Sequence, residues 1–248
     1  MSYNPFTLEG KTILITGASS GIGRATAIEC SKLGAKCVIT GRNEERLNET
    51  LSKMEGDGHQ IIVADIATQD GIDTVVERSP AIDGLVNNAG VSHTKPISFI
   101  KEEELNRIFS INTFAPIVLT KSLLKKKKMN AGASIVFVSS AASINPDIAN
   151  SIYSATKAAI ASFSRSCAKE LSVKQIRSNS VHPGMVETEL VKNLIFSAED
   201  LDNDKAKYIL KRYGKPEEIA WSIIYLLSDA SAWVTGTSMI IDGGLLVK

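Results

Sequence analysis

Cysteine is scarce in this chain, and its charges nearly cancel. The three cysteines, Cys30, Cys37 and Cys167, are odd in number and lack metal-ligand spacing, which argues against a disulfide framework or a zinc site and for reduced thiols in a reducing compartment. Lys and Arg total 28 against 27 Asp and Glu, a formal net charge of +1, so no bulk field draws nucleic acid or an anionic membrane. No apolar run is long enough to span a bilayer, and the opening MSYNPFTLEG has no basic segment followed by an apolar core. Internal repeats, low-complexity tracts and linkers are also lacking. These absences predict a cytoplasmic protein whose partner is a small molecule, with no metal, nucleic acid or membrane. What is present is apolar residue: 44% of 248 positions, enough for one globular domain over 1–248 with a well-buried core.

Short β-type runs alternate with helical patterns. Lys11 to Thr16, Ala35 to Thr40, Gln60 to Ala64 and Ile82 to Val86 read as strands buried on both faces, separated by helices Gly21 to Leu33, Glu44 to Met54 and Thr68 to Arg78. Helix Glu102 to about Lys127, strand Ser134 to Ser139, helix Ser151 to Val173, strand Ile176 to Val181, helix Pro216 to Ser228 and strand Ser238 to Ile241 follow. Such alternation implies right-handed crossovers and a doubly wound α/β fold, a central, mostly parallel sheet covered by helices. Ligands of such sheets sit at the carboxyl ends of the strands. The irregular stretch from about 187 to 212 is expected to be a mobile cover over the site.

The strand ends carry the chemistry. After the first strand, Thr16 to Gly23 reads TGASSGIG, where Gly17, Gly21 and Gly23 allow a tight turn and close backbone approach. Ser19, Ser20 and Ile22 lie where a helix N-terminus offers free N–H groups to a pyrophosphate. After the second strand comes Arg42; an acidic residue here would hold a ribose 2'-hydroxyl, whereas arginine suits a 2'-phosphate, so NADPH is favoured over NADH. Asp65, followed by Ile66, ends the third strand and could accept from an adenine amino group, while Asn87 to Gly90 (NNAG) makes a polar turn after the fourth. Each of these could equally be a cap or an ordinary turn. In SIYSATK, Tyr153 and Lys157 are four residues apart, which places both on one helix face, where an ammonium would lower the phenol's pKa and make it a general acid or base.

TGASSGIG, Asp65, NNAG, Asn112, Ser140, YSATK, Pro183-Gly184 with Thr188, and DGG at Asp242 to Gly244 together resemble the short-chain dehydrogenase/reductase family, over essentially the whole chain. That resemblance implies a Rossmann fold, a nicotinamide cofactor and a catalytic tetrad at Asn112, Ser140, Tyr153 and Lys157. Ser139 is the neighbouring candidate for the serine; the family's usual interval before the tyrosine favours Ser140. It also implies cofactor contacts at Asn88, Ala89 and Gly90, at Pro183 and Gly184, and at Val186 and Thr188. Tyr153 would then give a proton to a carbonyl oxygen held by Ser140, Lys157 would tune the tyrosine and hold the nicotinamide ribose, and Asn112 would help order a water relay. His182 reads as a wall or loop residue.

The implied activity is NADPH-dependent reduction of a ketone, with a 3-oxoacyl thioester the first candidate, as in bacterial 3-oxoacyl-carrier-protein reductases. The alternatives are NADH-linked oxidation of an alcohol, sugar or steroid and, in another class, a non-enzymatic dinucleotide sensor or interaction protein. Many NADPH-using relatives have a basic residue at the position of Ser20, and this chain does not. Lys125 to Lys128 and Lys174 could receive an acidic acyl carrier protein, or simply form solvated helix ends. His93, Thr94, Ala142, Ile144 and Ile148, with the cover at about 187–212, are the expected substrate wall. A homodimer or homotetramer built on the long fourth and fifth helices is expected from relatives.

Overall fold

In the computed structural model, described for residues 3–188 and 198–247, seven strands form one parallel sheet in the order β3-β2-β1-β4-β5-β6-β7. They are β1 (Thr12–Thr16), β2 (Lys36–Gly41), β3 (Gln60–Val63), β4 (Ile82–Asn87), β5 (Met129–Val138), β6 (Arg177–Pro183) and β7 (Ser238–Ile241). β1, β2 and β4 to β6 are buried along most of their length, as apolar runs covered on both faces require. One face packs under α1 (Gly21–Lys32) and a late helix Pro216–Leu227, the other under helices that include Gln69–Arg78, Ala115–Lys125 and Ser151–Glu170. The chain reverses direction across the sheet between β1 and β4, so a crevice opens at their carboxyl ends.

The other helices are α2 (Glu44–Leu51), α3 (Gln69–Arg78), α4 (Glu102–Phe109), α5 (Ala115–Lys125), α6 (Ser151–Glu170), α7 (Ala198–Lys205) and α8 (Pro216–Leu227). The helix expected from Glu102 to Lys127 is not continuous. A wide π turn, Ser110–Phe114, separates α4 from α5, and Ala115 donates its N–H back to Ser110. Pro116 supplies the reason: it has no N–H for the carbonyl of Asn112, four residues earlier, so ordinary helical bonding fails there. β5 also starts earlier than expected, because Met129 pairs with Ile82 ahead of a register shift. Of the expected cover, 189–197 lie outside the described residues, while α7 and the segment after it lie beside the crevice. Among the described residues no helix is long and apolar enough to cross a membrane. Cys30, Cys37 and Cys167 are buried free thiols.

Candidate active site

A cleft of about 1080 Å³ runs along the carboxyl ends of β1 to β6. Its floor is two loops stitched together. Thr16 Oγ1 accepts from the N–H of both Asn88 and Ala89 at 3.0 Å, and the Asn88 carboxamide donates to the carbonyls of Thr16 (2.9 Å) and Gly17 (3.3 Å). Asn88 is therefore a strut between the NNAG and glycine turns. Gly17 has φ 66°, and a Cβ there would lie 2.9 Å from the Ala89 backbone, so both conformation and contact require glycine. Ser20, the N-cap of α1, makes no side-chain capping bond. The first-turn N–H groups are thus left without that cap, and Ser19, Ser20, Gly21 and Ile22 line the cleft, so the cradle fits a pyrophosphate. Thr188 closes it from above, with its methyl 3.1 Å from where a Gly21 Cβ would be. Gly23 packs the helix against the Gly17 carbonyl.

At the far end, Arg42 Nη1 lies 4.0 Å from Asp65 Oδ2, both side chains well exposed. Asp65 Oδ1 accepts from the Ala67 N–H at 3.0 Å, which shapes the turn carrying Ile66. Arg46, in the first turn of α2, lines the same end. Sequence reading passed over it, although a second arginine in the first turn of the helix after the β2 loop is the available signal. Two guanidinium groups at this end fit the anionic 2'-phosphate of an NADP-type dinucleotide.

At the other end, Tyr153, Lys157, Ser140 and Gly90 converge. Lys157 Nζ donates to the Val138 carbonyl at 2.8 Å, and Ser139 Oγ donates to the Lys157 carbonyl at 2.8 Å. These two bonds clamp α6 to the end of β5. Both Ser139 and Ser140 line the cleft; the Ser139 hydroxyl is engaged in the clamp, while the Ser140 hydroxyl interacts with the Tyr153 phenol. A Cβ on Gly90 would lie 3.2 Å from both Lys157 Nζ and Asn112 Oδ1, so glycine lets this turn pass.

Asn112 is 2% exposed in the π turn. Its Oδ1 accepts from Val91 N–H at 2.9 Å, and its Nδ2 donates to the Val91 carbonyl (2.9 Å) and Thr156 Oγ1 (3.1 Å). Thr156 in turn donates to the Tyr153 carbonyl at 2.7 Å. The carboxamide therefore braces the Val91 loop against the helix that carries Tyr153.

Burial dominates the electrostatics. It pushes Tyr153 above the ordinary tyrosine value, with the Ser140 interaction opposing, and lowers Lys157 from 10.5 to about 8. The expectation that Lys157 pulls the phenol's pKa down is thus reversed in the protein by itself. Its Nζ stands 5.7 Å from the ring centroid and is bonded to Val138, so the cost of dehydrating a phenolate outweighs its field.

Pro183 and Gly184, at the end of β6, line the cleft with Val186. Gly184 N–H donates to the Ile241 carbonyl, and Val186 bridges to Gly214. Of the expected substrate wall, Thr94 and Ala142 line the cleft, and His93, Ile144 and Ile148 do not. His93 lies buried with Nε2 4.0 Å from Glu104, whereas Ile148 is 91% exposed. Lys207 and Tyr208 of the expected cover line the cleft, whereas sequence reading missed the polar Asn145, Asp147 and Asn150 of the β5–α6 connection, which also line it. Tyr208 accepts from Met185 N–H at 3.0 Å, and Lys207 pairs with Asp204 at 2.8 Å.

A doubly wound sheet with a phosphate cradle, a guanidinium pair and a buried Tyr-Lys-Ser cluster along one cleft defines a dinucleotide-binding oxidoreductase. A family model described as enoyl-(acyl carrier protein) reductase matches residues 17–246. The 3-oxoacyl-[acyl-carrier-protein] reductase FabG of Thermotoga maritima is 35% identical over 246 residues, covering 97% of this chain and 99% of the relative. The crystal structure of 3-ketoacyl-(acyl-carrier-protein) reductase from Brucella melitensis, complexed with NADH, aligns with TM-score 0.88 and 29% identity over 97% of this chain and 100% of that one. A provisionally named NAD(P)-dependent gluconate 5-dehydrogenase from Beutenbergia cavernae, with NADP bound at low occupancy, aligns with TM-score 0.90 and 29% identity over 99% and 100%. The chain belongs to the short-chain dehydrogenase/reductase family.

Proposed function

We propose that this protein is an NADPH-dependent reductase of a ketone, with Asn112, Ser140, Tyr153 and Lys157 as its catalytic group. The observation that carries this reading is the cleft itself, with a guanidinium pair at one end and a buried phenol beside a serine hydroxyl at the other. A bound NADPH would supply the hydride. Tyr153 gives its proton to the carbonyl oxygen as the alcohol forms, and burial keeps that proton in place at neutral pH. Ser140 hydrogen-bonds the same oxygen and orients it. Lys157 holds the nicotinamide ribose and replenishes charge beside the phenol, while Asn112 braces the loop and helix that flank them. Arg42 and Arg46 receive the 2'-phosphate, Asp65 the adenine, and Pro183, Gly184, Val186 and Thr188 the nicotinamide and phosphate edge.

A 3-oxoacyl thioester is the first candidate substrate, supported by the relatives named for that activity. A second reading, a small hydroxylated ketone such as a ketosugar acid, is favoured by the polar wall of Asn145, Asp147, Asn150 and Lys207. We assign the protein to the cytoplasm, as one oxidoreductase domain, with the described part of the cover lending Asp204, Lys207 and Tyr208 to the cleft. The exposed apolar Leu105 and Phe114, 38% and 55% accessible, support a homodimer or homotetramer through α4, α5 and α6. For carrier docking, Lys128 is already tied to the Ser79 carbonyl at 2.6 Å, which leaves Lys125, Lys126, Lys127 and Lys174 as the cations for an acidic carrier.

The test is parallel titration with NADPH and NADH, then turnover of acetoacetyl thioesters against hydroxylated ketones, with Tyr153→Phe as control. Tight NADPH binding, turnover, and its near loss in Tyr153→Phe are expected. Failure to bind either nucleotide overturns the reading, and near-normal turnover in Tyr153→Phe removes the tyrosine from it.

A further inference from the structure

His182 lies in β6, 2% exposed, outside the proposed catalytic group yet joined to it by hydrogen bonds. Its Nδ1 is 2.9 Å from Ser143 Oγ and 3.3 Å from the Ser140 carbonyl. Its Nε2 is 2.9 Å from Ser180 Oγ. Ser143 Oγ donates to the Ser140 carbonyl at 2.7 Å. A hydroxyl has one proton, so Ser143, having given its proton to Ser140, can only accept from the imidazole. Nδ1 therefore carries hydrogen, Nε2 is the acceptor, and Ser180 gives Nε2 its proton. Ser180 Oγ lies 3.2 Å from Ser238 Oγ, which receives Arg165 Nη1 at 3.4 Å. One neutral tautomer satisfies the whole chain from Arg165 to the Ser140 carbonyl.

The other side of Ser140 is held as well, since its Oγ accepts from Ala142 N–H at 3.1 Å. The residue sits in extended backbone at φ −164°, ψ 152°, at the start of a short 3-10 turn (Ala141–Ser143). Within the turn the Ser140 carbonyl also accepts from Ser143 N–H at 3.0 Å, and Ser139 N–H holds the preceding residue to the Val181 carbonyl of β6 at 2.8 Å; His182 is the side chain of β6 that reaches the Ser140 carbonyl itself. We propose that His182 is a positioning residue: through Nδ1–H it clamps the Ser143 hydroxyl and the Ser140 carbonyl, and so fixes the Ser140 hydroxyl against the Tyr153 phenol and the substrate oxygen. The proposal rests on the reading that Ser140 orients that oxygen.

Three substitutions separate the two ends of the ring. In His182→Asn the carboxamide can present an N–H near the place of Nδ1–H while losing Ser180; His182→Gln reaches toward Ser180 while losing the clamp; His182→Ala loses both. Displacement of a catalytic hydroxyl by a fraction of an ångström to one ångström costs roughly 10- to 100-fold in rate. The Ala and Gln variants should lose about that much kcat with NADPH Kd unchanged, and Asn should restore most of it. If the ring variants fail to fold, Ser143→Ala, which removes only the bridging hydroxyl, should lower kcat about 10-fold with Kd likewise unchanged. Combined with Ser140→Ala, the His182→Ala loss should vanish, because the clamp then has nothing to aim. A full additional loss in the Ser140→Ala background would overturn the proposal, as would undiminished kcat in His182→Ala or Ser143→Ala, or equal losses in Asn and Gln. Undiminished kcat in Ser140→Ala alone would instead overturn the underlying reading of Ser140.

Discussion

Replacing Lys157 by methionine should stabilise the protein while destroying its activity. Lys157 is 5% exposed, and burial lowers its pKa from 10.5 to about 8. At about 1.4 kcal/mol per tenfold change, the folded state pays about 3 kcal/mol to hold the ammonium charged at neutral pH. The change also removes the 2.8 Å bond to the Val138 carbonyl, worth about 1–2 kcal/mol, so the net gain near neutrality is about 1–2 kcal/mol. The pH dependence is the sharper readout. Below pH about 8 the lysine is charged both folded and unfolded, and the folded state bears the whole penalty. As pH rises from about 8 to 10.5 the folded lysine loses its proton first, the unfolded state binds more protons, and wild-type stability rises relative to the variant. Urea unfolding of both proteins without nucleotide, at closely spaced pH values, should show the stability difference moving by about 3 kcal/mol toward the wild type across that window, so that the methionine variant's advantage disappears and reverses. Groups common to both proteins cancel in the difference. Parallel stability curves, or a variant less stable at neutral pH, would refute the claim that Lys157 is held charged against its burial.

Arg42→Ala and Arg46→Ala should each weaken NADPH by about 10- to 100-fold, the worth of a charge-assisted contact, and leave NADH nearly unchanged. Equal effects on both nucleotides in titrations would remove that arginine from the 2'-phosphate site. Asn112→Ala deletes three hydrogen bonds and should cost about 2–4 kcal/mol, lowering Tm by about 5–10 °C. Asn112→Asp should be no better, because it sets an oxygen against the Val91 carbonyl, and an unchanged Tm in either variant would show that the brace is idle. The kcat/KM for reduction should fall as pH rises through about 8, where Lys157 loses its charge, and the rate of alcohol oxidation should climb toward the raised pKa of Tyr153. A reduction profile flat to about pH 10 would uncouple Lys157 from the rate-determining chemistry.

The sheet was legible because strands buried on both faces leave continuous apolar runs, and because each helix between them carries its own period. The strand-end residues were legible for a related reason: a parallel sheet brings loops far apart in sequence to one edge, so TGASSGIG, Arg42, Asp65, NNAG and Ser140 had to meet. The break at Asn112 was written in Pro116, but a helical pattern counts side chains and overlooks a missing N–H four residues away. The polar wall was harder to see. Asn145, Asp147 and Asn150 sit in a connection with no periodicity, and their aim into the cleft depends on how β5 and α6 are clamped by Ser139 and Lys157. Apolar Ile144 and Ile148 drew attention by composition and proved to be outside the lining. The brace at Asn112 and the ring at His182 were illegible for a further reason, since each satisfies backbone carbonyls, which no residue type announces.

The sign of the Tyr153 shift bears on direction. Spacing alone makes the Tyr-Lys pair look like a phenol tuned downward by its neighbour, as it would be if both groups kept their water. In the fold both are dehydrated, and dehydration favours the neutral phenol and the neutral amine alike. Reduction begins from a protonated tyrosine, which is the form burial stabilises. Oxidation begins from a phenolate beside an ammonium, a separated charge pair in a place that penalises each charge. The Ser140 interaction and the Val138 carbonyl offset only part of that penalty. The same burial that costs the protein stability at Lys157 therefore keeps Tyr153 neutral and protonated, and it is as a proton donor to a ketone that the resting site is best prepared.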